Sequence, residues 1–109
     1  MALSQSINQV YLSVITIEEI FYGLTAKQAT RTMQRIEAFL QSQAVVLPVT
    51  DEIARRAGEL RGLLRTRGQT RTQADMLIAA TAQLHQLTVV TRNVKDFESC
   101  GVPLLNPFE

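Results

Sequence analysis

Apolar and polar positions follow two rhythms along this chain, and each change of rhythm marks an element. VYLSV, Val10 to Val14, reads as a short strand. Ile17, Ile20, Phe21 and Leu24 then recur at helical spacing, with Gly23 leaving the end of that helix open. A second helix spans Thr32 to Leu40, its spacing turning Met33, Ile36, Phe39 and Leu40 inward. AVVLPV is an apolar run of strand length cut by Pro48, which places it at an edge or ends it there. Ile53, Ala57, Leu60 and Leu64 set a third helix from Asp51 to about Arg65, with Gly58 and Gly62 inside it. The stretch from Gln73 is apolar on nearly every side and reads as a buried helix. LTVVT, Leu87 to Thr91, is another strand, NVKDFES a brief helical turn, and VPLLNPF a last extended piece stopped by Pro107. The opening MALSQSINQV has no apolar run. Helices alternating with continuous apolar strands predict an α/β fold, its mostly parallel sheet covered on both faces.

At 109 residues the chain reads as one domain, residues 1–109. Hydrophobic residues make up 46% and charged residues 19%, enough apolar content for one real core. No apolar run is long enough to span a membrane, and the first ten residues lack the basic and apolar regions of a signal peptide, so no membrane partner is expected. The single cysteine, Cys100, excludes an internal disulfide and fits a cytoplasmic setting. It reads as a small filler before Gly101. One cysteine and one histidine, His85, are too few for a Cys/His zinc site. His85 closes the buried helix, where it suits the helix dipole. The net charge of +1 announces no polyanion partner, but Arg55, Arg56, Arg61, Arg65, Arg67 and Arg71 crowd one stretch. They form either the solvated face of a helix or a phosphate-binding surface.

Three acids share a pattern. Thr72-x-x-Asp75 stands at the mouth of the buried helix, Thr16-x-x-Glu19 near the start of the first helix, and Asn93-x-x-Asp96 at the turn after LTVVT. Each reads as a capping box with its carboxylate at a third helical position. Such acids satisfy a backbone N–H and face the positive end of the helix dipole. Two of these junctions follow a strand directly, and open α/β sheets bind ligands at the carboxyl ends of their strands. Converging carboxylates repel one another unless a cation joins them. Oxygen-only ligands suit Mg²⁺ or Mn²⁺, ions that activate water and clamp a phosphodiester.

YLSVITIEEIFYGL, ADMLIAATAQLHQLTVVTRNVKDF and GVPLLNPFE together resemble the PIN domain of VapC-like toxins, from Tyr11 to Glu109. The resemblance implies a three-layer α/β/α fold. It also implies a Mg²⁺- or Mn²⁺-dependent endoribonuclease, an RNA substrate, an antitoxin partner and pairing of two copies. Residue by residue, Glu19, Asp75 and Asp96 match the acids that hold the metal, and Asn93 stands where members carry Asp or Asn. Arg92, Arg71 and Arg67 would hold the RNA backbone. One departure stands out: members begin with an apolar strand ending in an aspartate, and nothing before Glu18 is acidic here. The pattern reads as an N-terminally truncated member lacking that central strand and a following helix, with a gap that another chain or a rearrangement must fill. A binding module that sequesters an antitoxin or a full-length relative is therefore the rival of the ribonuclease. An α/β domain whose acids are only caps is the third reading.

Overall fold

The computed structural model describes residues 2–6 and 9–107. It contains the strands β1 (Ala2–Ser6) and β2 (Gln9–Ser13), the helices α1 (Val14–Ala26) and α2 (Thr30–Gln43), and the strand β3 (Ala44–Leu47). The helices α3 (Asp51–Thr66) and α4 (Gln73–His85), the strand β4 (Thr88–Val90), a 3-10 turn (Val94–Phe97) and the strand β5 (Leu104–Leu105) complete it. Helices cover both faces of a five-stranded sheet in three layers. The sheet order is β3-β2-β1-β4-β5. β2 and β3 pair parallel, as do β4 and β5, while β1 runs antiparallel to both its neighbours. The sheet is thus mostly parallel in direction, with one reversed strand at its centre.

That central strand is where expectation and structure part. The hydrophobic pattern predicts no strand before Val10, and the resemblance implies a gap in mid-sheet. The chain's own opening residues fill it: Leu3 lies opposite Tyr11 on one side and Val89 on the other. Two facing strand edges inside a sheet leave rows of N–H and C=O groups that must be paired. The backbone of Ala2–Ser6 meets that demand. Leu3 adds the side-chain anchor, 1% exposed in the core. Met1, Ile7 and Asn8 of this stretch, and Phe108 at the end of the last extended piece, lie outside the described residues.

The core sits between the sheet and the α3–α4 pair. Ile53, Ala57 and Leu64 of α3 meet Met76, Ile78, Ala79, Ala80 and Ala82 of α4, with Val89, Phe97 and Cys100 beside them. The small side chains of α4 let it be enclosed on all sides at native density. α3 ends where Gly68 turns left-handed at φ 78°. The Gly68 amide bonds the Arg65 carbonyl, and the Gln69 amide bonds that of Leu64, closing a Schellman motif.

The outer helices differ from expectation. No residue of α2 is buried, and Met33, Ile36, Phe39 and Leu40 are only half-buried. α1 buries Thr16 alone, and Tyr22 is 73% exposed. Helical spacing put these apolar residues on one face, but α2 meets only α1 and β3 substantially. β3 ends before Pro48 and lies at the sheet edge, as Pro48 required. No helix among the described residues is long and apolar enough to cross a membrane.

Candidate active site

Connection lengths bring the site elements to one edge. α1 follows β2 without a loop, and the 3-10 turn follows β4 within a few residues. α4 reverses into β4 through Gln86 and Leu87, so its first turn lies at the carboxyl end of β4. The reversal is tight because Gln86 is left-handed at φ 56° and the Leu87 amide bonds the Ala82 carbonyl at 2.8 Å. β2 and β4 point the same way on either side of β1, so α1, α4 and the 3-10 turn all begin at one end of the sheet.

Asp75 is the third residue of α4, as its capping pattern predicts. Thr72 is the N-cap, and its Oγ1 accepts the Asp75 amide at 3.1 Å. Burial pushes the Asp75 carboxyl above its usual range, and the Asp96 carboxylate pushes it the same way. A hydrogen bond with Thr72 and the charge of Arg71 pull in the opposite direction. Asp75 and Asp96 therefore share one electrostatic neighbourhood, although 21 positions separate them in sequence.

Asp96 stands exposed in the 3-10 turn, its amide bonded to the Asn93 carbonyl at 3.1 Å. Asn93 does not cap that turn through its side chain, contrary to expectation. Instead Thr91 Oγ1 accepts the Asn93 amide at 3.0 Å, a hydroxyl turn that aims the loop. Arg92, Asn93, Lys95, Asp96, Glu98 and Asn106 line an open cleft. One wall residue of that cleft is thus the acid coupled to Asp75.

Glu19 lies elsewhere in its helix than expected. Ser13, not Thr16, caps α1, its side chain accepting the Ile15 amide at 3.1 Å. The helix therefore starts at Val14, and Glu19 falls in its second turn, exposed. Among the described residues, no three Asp, Glu, His or Cys side chains gather as a metal cage. The acids brought together are Asp75 and Asp96. β1 meets this edge of the sheet at Ala2, opposite Val90, so the central strand supplies no carboxylate there.

The arginines divide. Arg55 pairs with Asp51 at 2.9 Å and Arg56 with Glu52 at 3.5 Å, the solvated-face reading for those two. Arg67 is exposed just past α3, and Arg92 is exposed in the cleft. Arg71 is committed to protein groups: Nη1 donates to the Asp96 carbonyl at 2.8 Å, and Nη2 to Gln69 Oε1 at 3.0 Å. Nη1 also stands 3.8 Å from Cys100 Sγ. Cys100 is 2% exposed, and burial raises its thiol above the ordinary range. It fills core space, as its position before Gly101 suggested. His85 is exposed in the last turn of α4. Sequence reading passed over Thr91 and Gln69, and only the Thr91-x-Asn93 spacing carried a local signal for either.

Comparison with known proteins fits this geometry. The family profile described as PIN domain matches residues 2–101. A VapC ribonuclease from Sinorhizobium fredii is 33% identical over 112 residues, covering 97% of this chain and 80% of the relative. The crystal structure of FitAcB from Neisseria gonorrhoeae matches with a TM-score of 0.82 at 31% identity, covering 96% of this chain and 80% of that one. A toxin–antitoxin complex from Klebsiella pneumoniae matches at 0.69 and 33% identity, covering 89% and 72%. The matched residues 2–101 include helix α4 with Asp75 and the 3-10 turn with Asp96, and the chain belongs to the PIN-domain family.

Proposed function

We propose that this chain is a VapC-like toxin that hydrolyses RNA phosphodiesters with the help of a divalent cation. The observation that carries the reading is the Asp75–Asp96 pair at the carboxyl edge of the sheet, with Asp75 held above its usual range by burial and by Asp96. A carboxylate whose charged form is disfavoured by burial and by a neighbouring carboxylate gains from a cation beside it. Mg²⁺ or Mn²⁺ take one or two carboxylates and complete their shell with waters and phosphate oxygens. Asp75 and Asp96 would hold the ion, and Glu19 would join from α1. The cation would supply charge for the phosphoryl oxygens and acidify a water.

The chain's own groups do the rest. Thr72 and the α4 backbone fix Asp75, and Thr91 fixes the loop of Asn93. Asn93, at the cleft wall, would orient a water or a phosphate oxygen. Arg92 and Arg67 would hold the RNA backbone by charge. A cytoplasmic setting gives such an enzyme its substrate. The Klebsiella pneumoniae match is a toxin–antitoxin complex. By that likeness an antitoxin is this chain's proposed partner, and a second copy is proposed on the half-buried α1–α2 surface.

A second reading has its own support. Glu19 is not gathered with the pair, and β1 brings no acid to the edge. On this reading the domain keeps the fold and its partner surface and cuts nothing. Titration calorimetry with Mn²⁺ on the wild type and Asp75→Asn, followed by an RNA cleavage assay, separates the two. Saturable binding lost in the variant, with cleavage, supports the nuclease. Absent binding and cleavage leaves the binding module.

A further inference from the structure

Asp96 and Asp75 belong to separate elements, and something must fix their relative position. The first turn of α4 is held by the Thr72 cap and by Met76, which is buried in the core. The turn that carries Asp96 is short and lies at the surface. The Asp96 amide bonds the Asn93 carbonyl and the Cys100 amide that of Phe97, both local contacts. Phe97 and Cys100 anchor the turn from below in the core. Near Asp96 itself, a bond from outside the turn comes from Arg71.

We propose that Arg71 is a positioning residue, a two-headed strap whose guanidinium ties the Asp96 carbonyl to the α3–α4 connection and so sets the spacing of the Asp75 and Asp96 carboxylates. This rests on the proposed cation site for its purpose, but not for its geometry. Nη1 reaches the Asp96 carbonyl at 2.8 Å, the short distance of a charge-assisted bond. Nη2 is braced by Gln69 Oε1 at 3.0 Å. Gln69 is itself fixed by the Schellman closure of α3, where its amide bonds the Leu64 carbonyl at 2.9 Å. The brace therefore runs from the end of one rigid helix to the turn, just ahead of the first turn of the next. The guanidinium suits this because its donors lie in one plane and point two ways at once, which an ammonium cannot reproduce.

Cys100 is a built-in reporter of the strap. It is the chain's only cysteine, it is 2% exposed, and its Sγ stands 3.8 Å from Arg71 Nη1. A turn that loosens uncovers this thiol. The experiment follows labelling of Cys100 by Ellman's reagent under native conditions, with Mn²⁺ calorimetry on the same samples. Rates are compared per thiolate from a pH series, because Arg71 itself lowers the pKa of the Cys100 thiol. On that scale Arg71→Ala is expected to speed labelling about tenfold or more, the factor set by losing a hydrogen bond to a charged group. Arg71→Lys, which keeps the charge and a folded chain, is expected to speed it too. Arg35→Ala, at an exposed position of α2, is expected to label like the wild type. Wild-type labelling rates in both Arg71 variants would overturn the strap.

The Mn²⁺ arm carries an opposite sign for the alternative role. Loss of a strap weakens cation binding by about tenfold, as loss of a ligand's supporting partner does. Removing a mere positive charge beside two carboxylates would strengthen it. Tighter Mn²⁺ binding in Arg71→Ala would therefore reject the positioning role. Failure of the wild type to bind Mn²⁺ would remove the proposed cation chemistry, while the labelling rates would still decide whether the strap exists.

Discussion

Thr72 Oγ1 accepts the amide hydrogen of Asp75 at 3.1 Å, so the cap of α4 is made by the threonine. Thr72→Ala is expected to cost about 1 kcal/mol of stability, and Thr72→Ser to keep most of it. Urea unfolding checks this. Equal midpoints for Thr72→Ala and the wild type would mean that water replaces the cap.

The folded pKa of Asp75 is raised above the ordinary value of 3.8, first by burial. Between those two values the folded chain keeps a proton that the unfolded chain has lost. Folding stability from this group is therefore full below 3.8 and is lost as pH rises through the raised value. Asp75→Asn removes this loss and is expected to be at least as stable as the wild type at neutral pH, with a flatter pH dependence. Denaturation curves taken from acid to neutral pH test it. A variant less stable than the wild type at neutral pH would show that the ionised carboxylate helps the fold.

β1 has one described side-chain anchor. Leu3 is 1% exposed and faces Tyr11 and Val89 across both ladders. Leu3→Ala is expected to cost about 2–5 kcal/mol, a large share of a small domain's stability. Amide exchange should also rise in β2 and β4, whose facing edges β1 pairs. Unchanged exchange there would mean that β1 is not what closes the sheet.

What was legible in the sequence was local. The α4 boundary, its Thr72 cap and its burial follow from neighbouring residues, as do α3 and the short 3-10 turn. β1 was not legible, because its residues join the sheet for the unpaired edges of β2 and β4, which lie elsewhere in the chain. Glu19 was misplaced within its helix because Ser13 and Thr16 both offer a hydroxyl near the start, and only the backbone decides which one caps. The Arg71–Asp96 bond spans 25 positions, so no spacing rule reaches it. The half-burial of Met33, Ile36, Phe39 and Leu40 was hidden for a related reason: periodicity names a face but not what covers it.

That partly covered face predicts association. Phe21 and Tyr22 line a shallow groove on α1, and Tyr22 is 73% exposed. Burying such surface in a second copy recovers roughly 25 cal/mol per Å² of apolar area. Light scattering at micromolar concentration is expected to give a mass above one chain, and Tyr22→Glu to lower it. A single-chain mass for the wild type would reject pairing.

Arg92 is exposed in the cleft that also holds Asn93 and Asp96, and Arg71 donates to the Asp96 carbonyl and to Gln69. If RNA lies along that cleft, Arg92 meets a phosphate and releases a counterion on binding. Arg92→Ala is then expected to weaken RNA binding similarly for all sequences and to reduce the salt slope by about one unit. The binding assay uses a variant that cannot cleave, Asp75→Asn, as its background. Arg71→Ala on that background should leave the slope near its starting value, because a strap neutralises no phosphate. A lower slope for Arg71→Ala and an unchanged one for Arg92→Ala would exchange the two roles.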